Sequence, residues 1–562
     1  MAAADLYGME SIAFCRGFVK DFTKIFHNSV MLFLIFYTEK ISIKFTFPLP
    51  LRLECVVYYK EEIRTEGGSS MKKYLLALDE GTTSARAILF DRAGHIAAMA
   101  NQPIRQIYPH PGWVEQDPMD IYAAEMAALT ECVAKSGIDP CEIAAAGITN
   151  QRETALLWDR TTGSPVAPAI VWQCRRTADR CTELYDSGCD AMIRRKTGLR
   201  PDAYFSATKW EWMFREDPAL LARARNGELA AGTVDTWLAW KLTDGKIHVT
   251  DRTNAARTML YNIRTGTWDD ELLDLFGIPR CVLPEVRSSG EVYGEISVLG
   301  TPVPLAGIAG DQQSALFGHR CFAPGDTKNT YGTGCFLLMH TGETAVDSAS
   351  GLLTTVAAGE VGRPIEYALE GSVFVGGAVI QWLRDEMRLI DHAAQSEEMA
   401  RSVPDTGGVY VVPAFTGLGA PYWDPHARGT ITGLTRGSGR AHIVRAALES
   451  IAYQTEDVLS AMCADVGRSI PALRVDGGAS ANDFLMQFQS DLSGVPVLRP
   501  QITEATAWGA ACLAGLGVGF YSSRDEIPEN EIAARFLPQI DEDTRTALAD
   551  GWKKAVAAAR IQ

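Results

Sequence analysis

YLLALDEGTTSARAILFD, residues Tyr74–Asp91, reads as two apolar strands joined by a turn. Tyr74–Asp79 and Ala85–Asp91 carry the apolar residues, and between them Gly81 precedes three successive hydroxyl residues, Thr82, Thr83 and Ser84. A further strand-like run, His95–Ala100, follows at once. Ile121–Lys135 has apolar positions at helical spacing, and Ile143–Thr149 reads as a buried strand. The scheme returns loosely downstream. Thr327–His340 (TKNTYGTGCFLLMH) is a glycine-bearing hairpin run, and Leu473–Asp476 is a strand entering Gly477–Gly478. Two halves that each open on a Gly/Thr-rich hairpin predict an α/β protein of two related domains facing a cleft, divided near His319–Ala323.

Composition narrows the class. A chain of 562 residues, 47% of them hydrophobic, can bury large cores and has the length of at least two domains. Its net charge of −16 argues against a nucleic-acid partner, which needs clustered Lys and Arg. The twelve cysteines show no CxxC pair, and neither they nor the nine histidines stand at zinc-ligand spacing. Reduced thiols in a cytoplasmic protein are the expectation.

Residues 1–70 do not match the rest. NSVMLFLIFYTEK has an apolar core far shorter than the roughly 20 residues of a membrane span, and no small-residue cleavage site follows it. Met71 then opens the regular pattern directly. We read 1–70 as an extension without fixed structure or an artefactual upstream start; the alternative is a genuine targeting or partner-binding segment.

Several turns suit anions. DEGTTSAR (Asp79–Arg86) offers backbone amides and hydroxyls at a tight turn, a concave site for phosphate oxygens. It lacks the Gly-Lys-Ser/Thr of the Walker loop, and a strand follows it rather than a helix. Asp79, at the strand end, suits a hydrated magnesium ion; an ordinary hairpin turn is the plain alternative. YGTGC (Tyr331–Cys335) is a second such turn. VDGGASAN (Val475–Asn482) and VGGAVIQWLRD (Val375–Asp385) place glycines before helical runs, whose N-termini attract anions. GIAGDQQSALFG (Gly307–Gly318) puts a carboxylate, Asp311, where an apolar run enters a helix, as an N-cap or as something more. In NQRET (Asn150–Thr154), Arg152 donates and Glu153 accepts, a pair matched to a diol. Strand neighbours face opposite ways, so both reach one ligand only where the strand ends or bends; otherwise they are a surface ion pair worth little.

From Met71 onward the chain resembles the FGGY carbohydrate kinases. DEGTTSAR, NQRET, VWQCRRT (Val171–Thr177), FSATKWEW (Phe205–Trp212), AGDQQSALFG, NTYGTGCF, YWDPHARGTITGLTRG (Tyr422–Gly437), DGGASANDFLMQFQ and TAWGAA (Thr506–Ala511) fall in the family's order. NQRET and AGDQQ together are similar to the members acting on glycerol rather than to the xylulose, ribulose and gluconate kinases. The resemblance implies two actin/hexokinase-like (ribonuclease H-like) domains flanking a catalytic cleft: 71–320 with the glycerol site and first phosphate loop, and 321–562 with the nucleotide site. It implies ATP-dependent, magnesium-assisted phosphorylation of glycerol to sn-glycerol 3-phosphate in glycerol catabolism, by a homodimer or homotetramer.

The resemblance also assigns residues. Asp311 is implied as general base, with Arg152, Glu153, Tyr204, Asp311 and Gln312 on the glycerol hydroxyls and Trp172 and Phe336 against its carbons. A carboxylate is a weak base for an alcohol, which suffices if the transition state is loose and the proton leaves late. Thr82, Thr83, Ser84 and Arg86 are implied as the first phosphate loop and Thr333 as the second. Gly377, Gln381, Gly478 and Asn482 are implied as nucleotide contacts, and Asp79 as the magnesium residue, through water. YWDPHARGTITGLTRG reads as a structured loop without chemistry of its own.

Two departures matter. Where many members have Gln after the first Asp, this chain has Glu80, whose charge weakens ATP unless it faces away or pairs with a cation such as Arg86. Some relatives carry a regulatory phosphorylated histidine in the stretch matching YNIRTGTWDD, where this chain has Arg264, so that control is expected to be absent. The rival readings are a sister kinase for another polyol such as erythritol, and a non-catalytic nucleotide-binding switch on an actin/chaperone-like scaffold. The Arg152–Glu153 pair and Asp311 speak against the latter.

Overall fold

The computed structural model describes residues 31–37, 40–46, 54–57 and 72–561. The chain divides into two compact units, Met1–Ser70 and Met71–Gln562. In the first, Met31–Tyr37, Lys40–Thr46 and Glu54–Val57 pair antiparallel; the rest of the expected extension, and with it the start-site reading, lies outside the described residues.

The second unit is built on two mixed sheets. The first uses β1 (Tyr74–Glu80), β2 (Ser84–Asp91) and β3 (Ile96–Pro103), then, after helix α1 (Pro118–Ser136), β4 (Ile143–Asn150). After a long excursion that includes helix α2 (Ala207–Glu216), β5 (Gly290–Ile296) and β6 (Val303–Gly310) complete it, and β6 runs straight into α3 (Asp311–Gly318). The order is β5-β6-β4-β1-β2-β3. Strands β1, β4 and β6 are parallel neighbours, and β1–β2–β3 is an antiparallel meander. Every residue of β4 is buried, the continuous apolar run of a strand covered on both faces.

The second sheet repeats that pattern. It uses β7 (Thr327–Tyr331), β8 (Cys335–Gly342), β9 (Leu353–Val356) and β10 (Tyr367–Val373), followed by α4 (Ala378–Asp385) and the long α5 (Arg440–Val466). Then come β11 (Leu473–Asp476), α6 (Asp483–Ser493), β12 (Val497–Pro500), α7 (Ala505–Gly517) and β13 (Ile532–Phe536). The order is β9-β10-β8-β7-β11-β12-β13. Again a hairpin strand, β7, has an antiparallel partner on one side and a parallel one on the other. This is the two-domain actin/hexokinase-like architecture, with the extra strand β9 on the second sheet.

The two sheets divide the sequence cleanly; the packing does not. Helix α7, from the second half, lies against β4 and β6 of the first sheet, and Trp508 meets Phe90 of β2 with ring centroids 5.1 Å apart. The approach is close because one partner in each contact is a glycine. A Cβ on Gly147 of β4 would stand 2.2 Å from the Ala510 carbonyl oxygen, and one on Gly509 would stand 1.9 Å from that of Ser314. TAWGAA is therefore a packing motif that fastens the second half of the chain to the first sheet.

Candidate active site

The parallel strands bring the motifs together. Glu80 and Gly310 both pair with Asn150, so the carboxyl ends of β1, β4 and β6 are level. Asp79–Glu80, Gln151–Glu153 and Asp311 emerge side by side, where ligands bind in open α/β sheets. Strand β4 ends at Asn150, and Glu153 takes a left-handed backbone with φ 62°. The chain thus bends at Arg152–Glu153, the condition under which both side chains of the pair can face the same side.

Arg152 is the hub. Its Nε lies 3.0 Å from Asp311 Oδ1. One terminal nitrogen donates to Gln313 Oε1 at 3.0 Å and to Glu370 Oε2 at 2.6 Å, and the other to Glu370 Oε1 at 3.0 Å. The remaining N–H meets the Tyr204 hydroxyl at 3.5 Å, too long for a strong bond. Four of its five N–H groups are therefore committed to the protein, and the fifth is the one open to a ligand. Glu153 Oε1 accepts from Arg257 Nε at 2.5 Å, and Arg257 also reaches Glu370 Oε1 at 2.9 Å. Burial raises the Glu153 carboxyl against the pull of Arg257 and Arg152. For Glu370 the balance reverses: burial pushes its pKa up, but Arg152 and Arg257 outweigh it and hold it at about 2. Trp172 stands edge-on to Tyr204, centroids 5.6 Å apart, and its Nε1 donates to Thr82 Oγ1 at 2.9 Å.

Asp311 is the first residue of α3, and Gly310 occupies the cap position. The N-cap reading is corrected accordingly. Its Oδ1 accepts the Gln312 amide at 2.8 Å and its Oδ2 the Gln312 side-chain amide at 3.1 Å, while about a third of the side chain stays exposed. Gln312 is oriented in turn by Lys328 of β7. The buried Lys328 Nζ donates to Gln312 Oε1, to Thr330 Oγ1 at 2.8 Å and to the Phe336 carbonyl at 3.2 Å. Burial pushes Lys328 down to about 8. With an ammonium at its oxygen, Gln312 must turn its NH₂ toward Asp311.

The turn between β1 and β2 is closed by the Gly81 amide on the Ser84 carbonyl at 2.9 Å. Gln116 and Gln106 hold the Thr82 carbonyl at 2.7 and 3.3 Å. Arg86 pairs with Asp79 and, at 2.5 Å, with Glu504 at the head of α7. Burial raises the Asp79 carboxyl; Arg86 opposes that rise, while Glu504 and Asp311 add to it by repulsion. Asp79 and Glu504 flank Arg86, and Asp311 is near enough to Asp79 to repel it; a magnesium ion held by one or two carboxylates through water fits such a set. Among the described residues no group of three or more ligands forms a closed metal cage. Glu80 faces away from the turn: it is fully buried against Glu125 of α1, and Arg86 does not reach it.

The opposing turn is held differently. The Gly376 and Ala378 amides donate to the Thr333 carbonyl at 2.9 and 3.1 Å, and that of Gly377 to the Gly332 carbonyl at 2.9 Å. The helix N-terminus read as an anion site is thus largely occupied by the hairpin itself. A Cβ on Gly376 would lie 2.7 Å from Cys335 Sγ, so close approach explains the first glycine of that pair. Gln381 is exposed on α4. A short 3₁₀ turn, Gly478–Ala481, separates β11 from α6, and the Asn482 side chain caps α6 through Leu485 N at 2.9 Å. A Cβ on Gly478 would meet nothing within 4 Å, so that backbone is open to a ligand. Phe336 lies on β8 opposite Thr330.

Glu370, Arg257, Lys328 and Lys209 were absent from the sequence reading. Lys209 and Lys328 lie inside stretches quoted above, FSATKWEW and TKNTYGTGCFLLMH, but nothing in either singles out the lysine; Arg257 and Glu370 lie outside every quoted motif, and for Glu370 a charge inside the strand YALEGSV (Tyr367–Val373) was the available signal.

Comparison with known proteins gives a consistent picture. The model described as FGGY family of carbohydrate kinases, N-terminal domain, matches residues 74–318, and the corresponding C-terminal domain matches 327–518. A glycerol kinase from Caldanaerobacter subterraneus subsp. tengcongensis is 60% identical over 489 residues, 86% of this chain and 98% of the relative. The crystal structure of Plasmodium falciparum glycerol kinase with ADP superposes with a TM-score of 0.82 at 36% identity, covering 87% of this chain and 98% of that one. A gluconate kinase from Lactobacillus acidophilus, 23% identical over 87% of this chain and 99% of its own, shares the fold with a TM-score of 0.78.

Proposed function

Because the chain belongs to the FGGY family of carbohydrate kinases, we propose that it phosphorylates glycerol with ATP, giving sn-glycerol 3-phosphate, and that Asp311 is the general base. The observation that carries this reading is one constellation at the level strand ends. Arg152 touches both Asp311 and Tyr204, and Glu153 is bent beside them. Glu153 and the Tyr204 hydroxyl supply an acceptor and a donor for adjacent hydroxyls of a polyol. High identity to glycerol kinases supports glycerol as that polyol, and a neighbour solved with ADP supports an adenine nucleotide as donor.

Asp311 receives two hydrogen bonds, from the Gln312 main and side chains, and is ion-paired with Arg152. They fix its direction, so that it accepts the hydroxyl proton while positioning and charge neutralisation lower the barrier. A magnesium ion, when bound through water at Asp79, neutralises phosphoryl charge. Arg86 keeps Asp79 facing the first turn, and Trp172 fastens that turn to the acceptor wall through Thr82. We place the enzyme in the cytoplasm: all ten described cysteines are free thiols, and no described helix is long and apolar enough to cross a membrane. Light scattering is expected to give a homodimer or homotetramer.

The test is a coupled ADP-release assay with ATP and magnesium across a polyol panel, on the wild type and on Asp311→Asn. Glycerol turnover is expected, with Asp311→Asn slower by roughly 10²–10⁴-fold yet still binding glycerol. Turnover of another polyol instead would reassign the substrate, and full activity of Asp311→Asn would remove the base.

A further inference from the structure

Lys209 lies in the first turn of α2 and is completely buried. A buried lysine ordinarily has a carboxylate beside it; among the described residues this one has none within ion-pair distance. Its Nζ instead donates to two main-chain carbonyls, that of Glu153 at 3.0 Å and that of Tyr204 at 2.6 Å. These residues are the proposed acceptor and donor for the polyol. The Ser206 hydroxyl donates to the same Glu153 carbonyl, also at 3.0 Å. Glu153 has the left-handed φ of 62°, a backbone state that a bulky residue keeps only when its surroundings enforce it.

We propose that Lys209 is a positioning residue of the acceptor pocket, clamping the Glu153 and Tyr204 carbonyls so that both side chains face one polyol. The proposal rests on the acceptor-site reading above. Two carbonyls match the two N–H groups of an uncharged amine. Burial pushes Lys209 down to about 7, the Arg175 charge acts in the same direction, and Glu153, Cys174 and Asp202 pull the other way. The clamp therefore needs no counter-ion. It joins the segment just past β4 to Tyr204, three residues before α2, and the Ser206 hydroxyl reinforces the tie at the Glu153 carbonyl.

The experiment is steady-state kinetics on wild type, Lys209→Met and Ser206→Ala, using whichever polyol the wild type turns over best, so that a wrong choice of glycerol and a wrong clamp are told apart. Lys209→Met keeps the apolar stem and removes the donors. It is expected to raise the polyol KM by roughly tenfold or more, with the ATP KM within about twofold, as loss of hydrogen bonds at one subsite requires. Ser206→Ala, which loses one of the two donors on Glu153, is expected to raise the polyol KM by about threefold. A folded Lys209→Met with unchanged polyol KM, or with polyol and ATP parameters impaired alike, overturns the proposal. If Lys209→Met does not accumulate folded, an unmoved polyol KM in Ser206→Ala overturns it instead.

Discussion

Two buried carboxyls, Glu370 among arginines and Glu125 beside Glu80, have opposite fates. Glu153 and Glu370 interleave with Arg152 and Arg257, and Glu370 is held at about 2 although burial works to raise it. Glu80 and Glu125 face each other with no cation; burial raises both, Glu125 to about 8, because the nearby Arg86 is committed to Asp79 and Glu504. Burial penalises charge in both places. What differs is the supply of guanidinium groups: two of them hold Glu370 low, while Glu153, which shares them, is still raised by burial, and Glu80 and Glu125, with no cation paired to them, are raised too. The ionic cluster also spans the two sheets, since Glu370 comes from β10 and both arginines from the first half.

The sharpest way to break the contrast is Glu370→Gln. It leaves two buried guanidiniums with Glu153 and the partly exposed Asp311, and removing one partner of a buried pair costs about 3–5 kcal/mol. Urea unfolding at neutral pH should show that loss, and kcat/KM should fall with it as Arg152 loses its bidentate hold. The pH sign follows from the depressed carboxyl. The stability it contributes is complete above the unfolded range near 4.5 and disappears as pH falls toward 2. Acid should therefore unfold the wild type through this window and affect Glu370→Gln less steeply.

Glu125→Gln tests the other side with a smaller effect. Here the folded pKa is raised, so between about 4.5 and 8 the folded pair keeps a proton that the unfolded chain releases. Wild-type stability should fall with rising pH across that window, by up to about 1.4 kcal/mol per unit for one proton. Glu125→Gln, which removes the titrating carboxyl at nearly constant size, should flatten the slope and be the more stable form at pH 8. Equal slopes would show that the two carboxyls do not share a proton.

The contrast also marks where sequence reading stops. The hairpins, strand β4 and the entry into α3 were legible because each is a local pattern: apolar runs, a turn residue, a carboxylate at a strand end. Asn150–Thr154 could be singled out as a candidate diol-binding pair because its residue types state their chemistry. Glu80 could be singled out, yet its partner could not, because Glu125 stands 45 positions away on a helix whose apolar spacing hides a buried acid. Glu370, Arg257 and Lys209 are likewise set by long-range pairing across sheets and helices. The glycines of α4 looked like an anion site, and the hairpin carbonyls that occupy its amides come from more than forty residues earlier in the chain.

Arg264→Ala is the smallest perturbation and the control for the first. Arg264 pairs with Asp347 at 2.5 Å and donates to the Arg195 carbonyl at 2.9 Å, but its side chain is 38% exposed and that of Asp347 71%. Water screens such a pair, so the expected loss is below about 1 kcal/mol and shrinks further in salt. The same guanidinium–carboxylate chemistry at Arg152 and Glu370, side chains 1% and 0% exposed, should cost several times more. The position also bears on regulation: residues 261–270 hold no histidine to phosphorylate, and Arg264→Ala should leave glycerol turnover unchanged. A large loss of stability in Arg264→Ala, comparable to that of Glu370→Gln, would mean that exposure is not what separates the two pairs, and the electrostatic account of the buried cluster would fall with it.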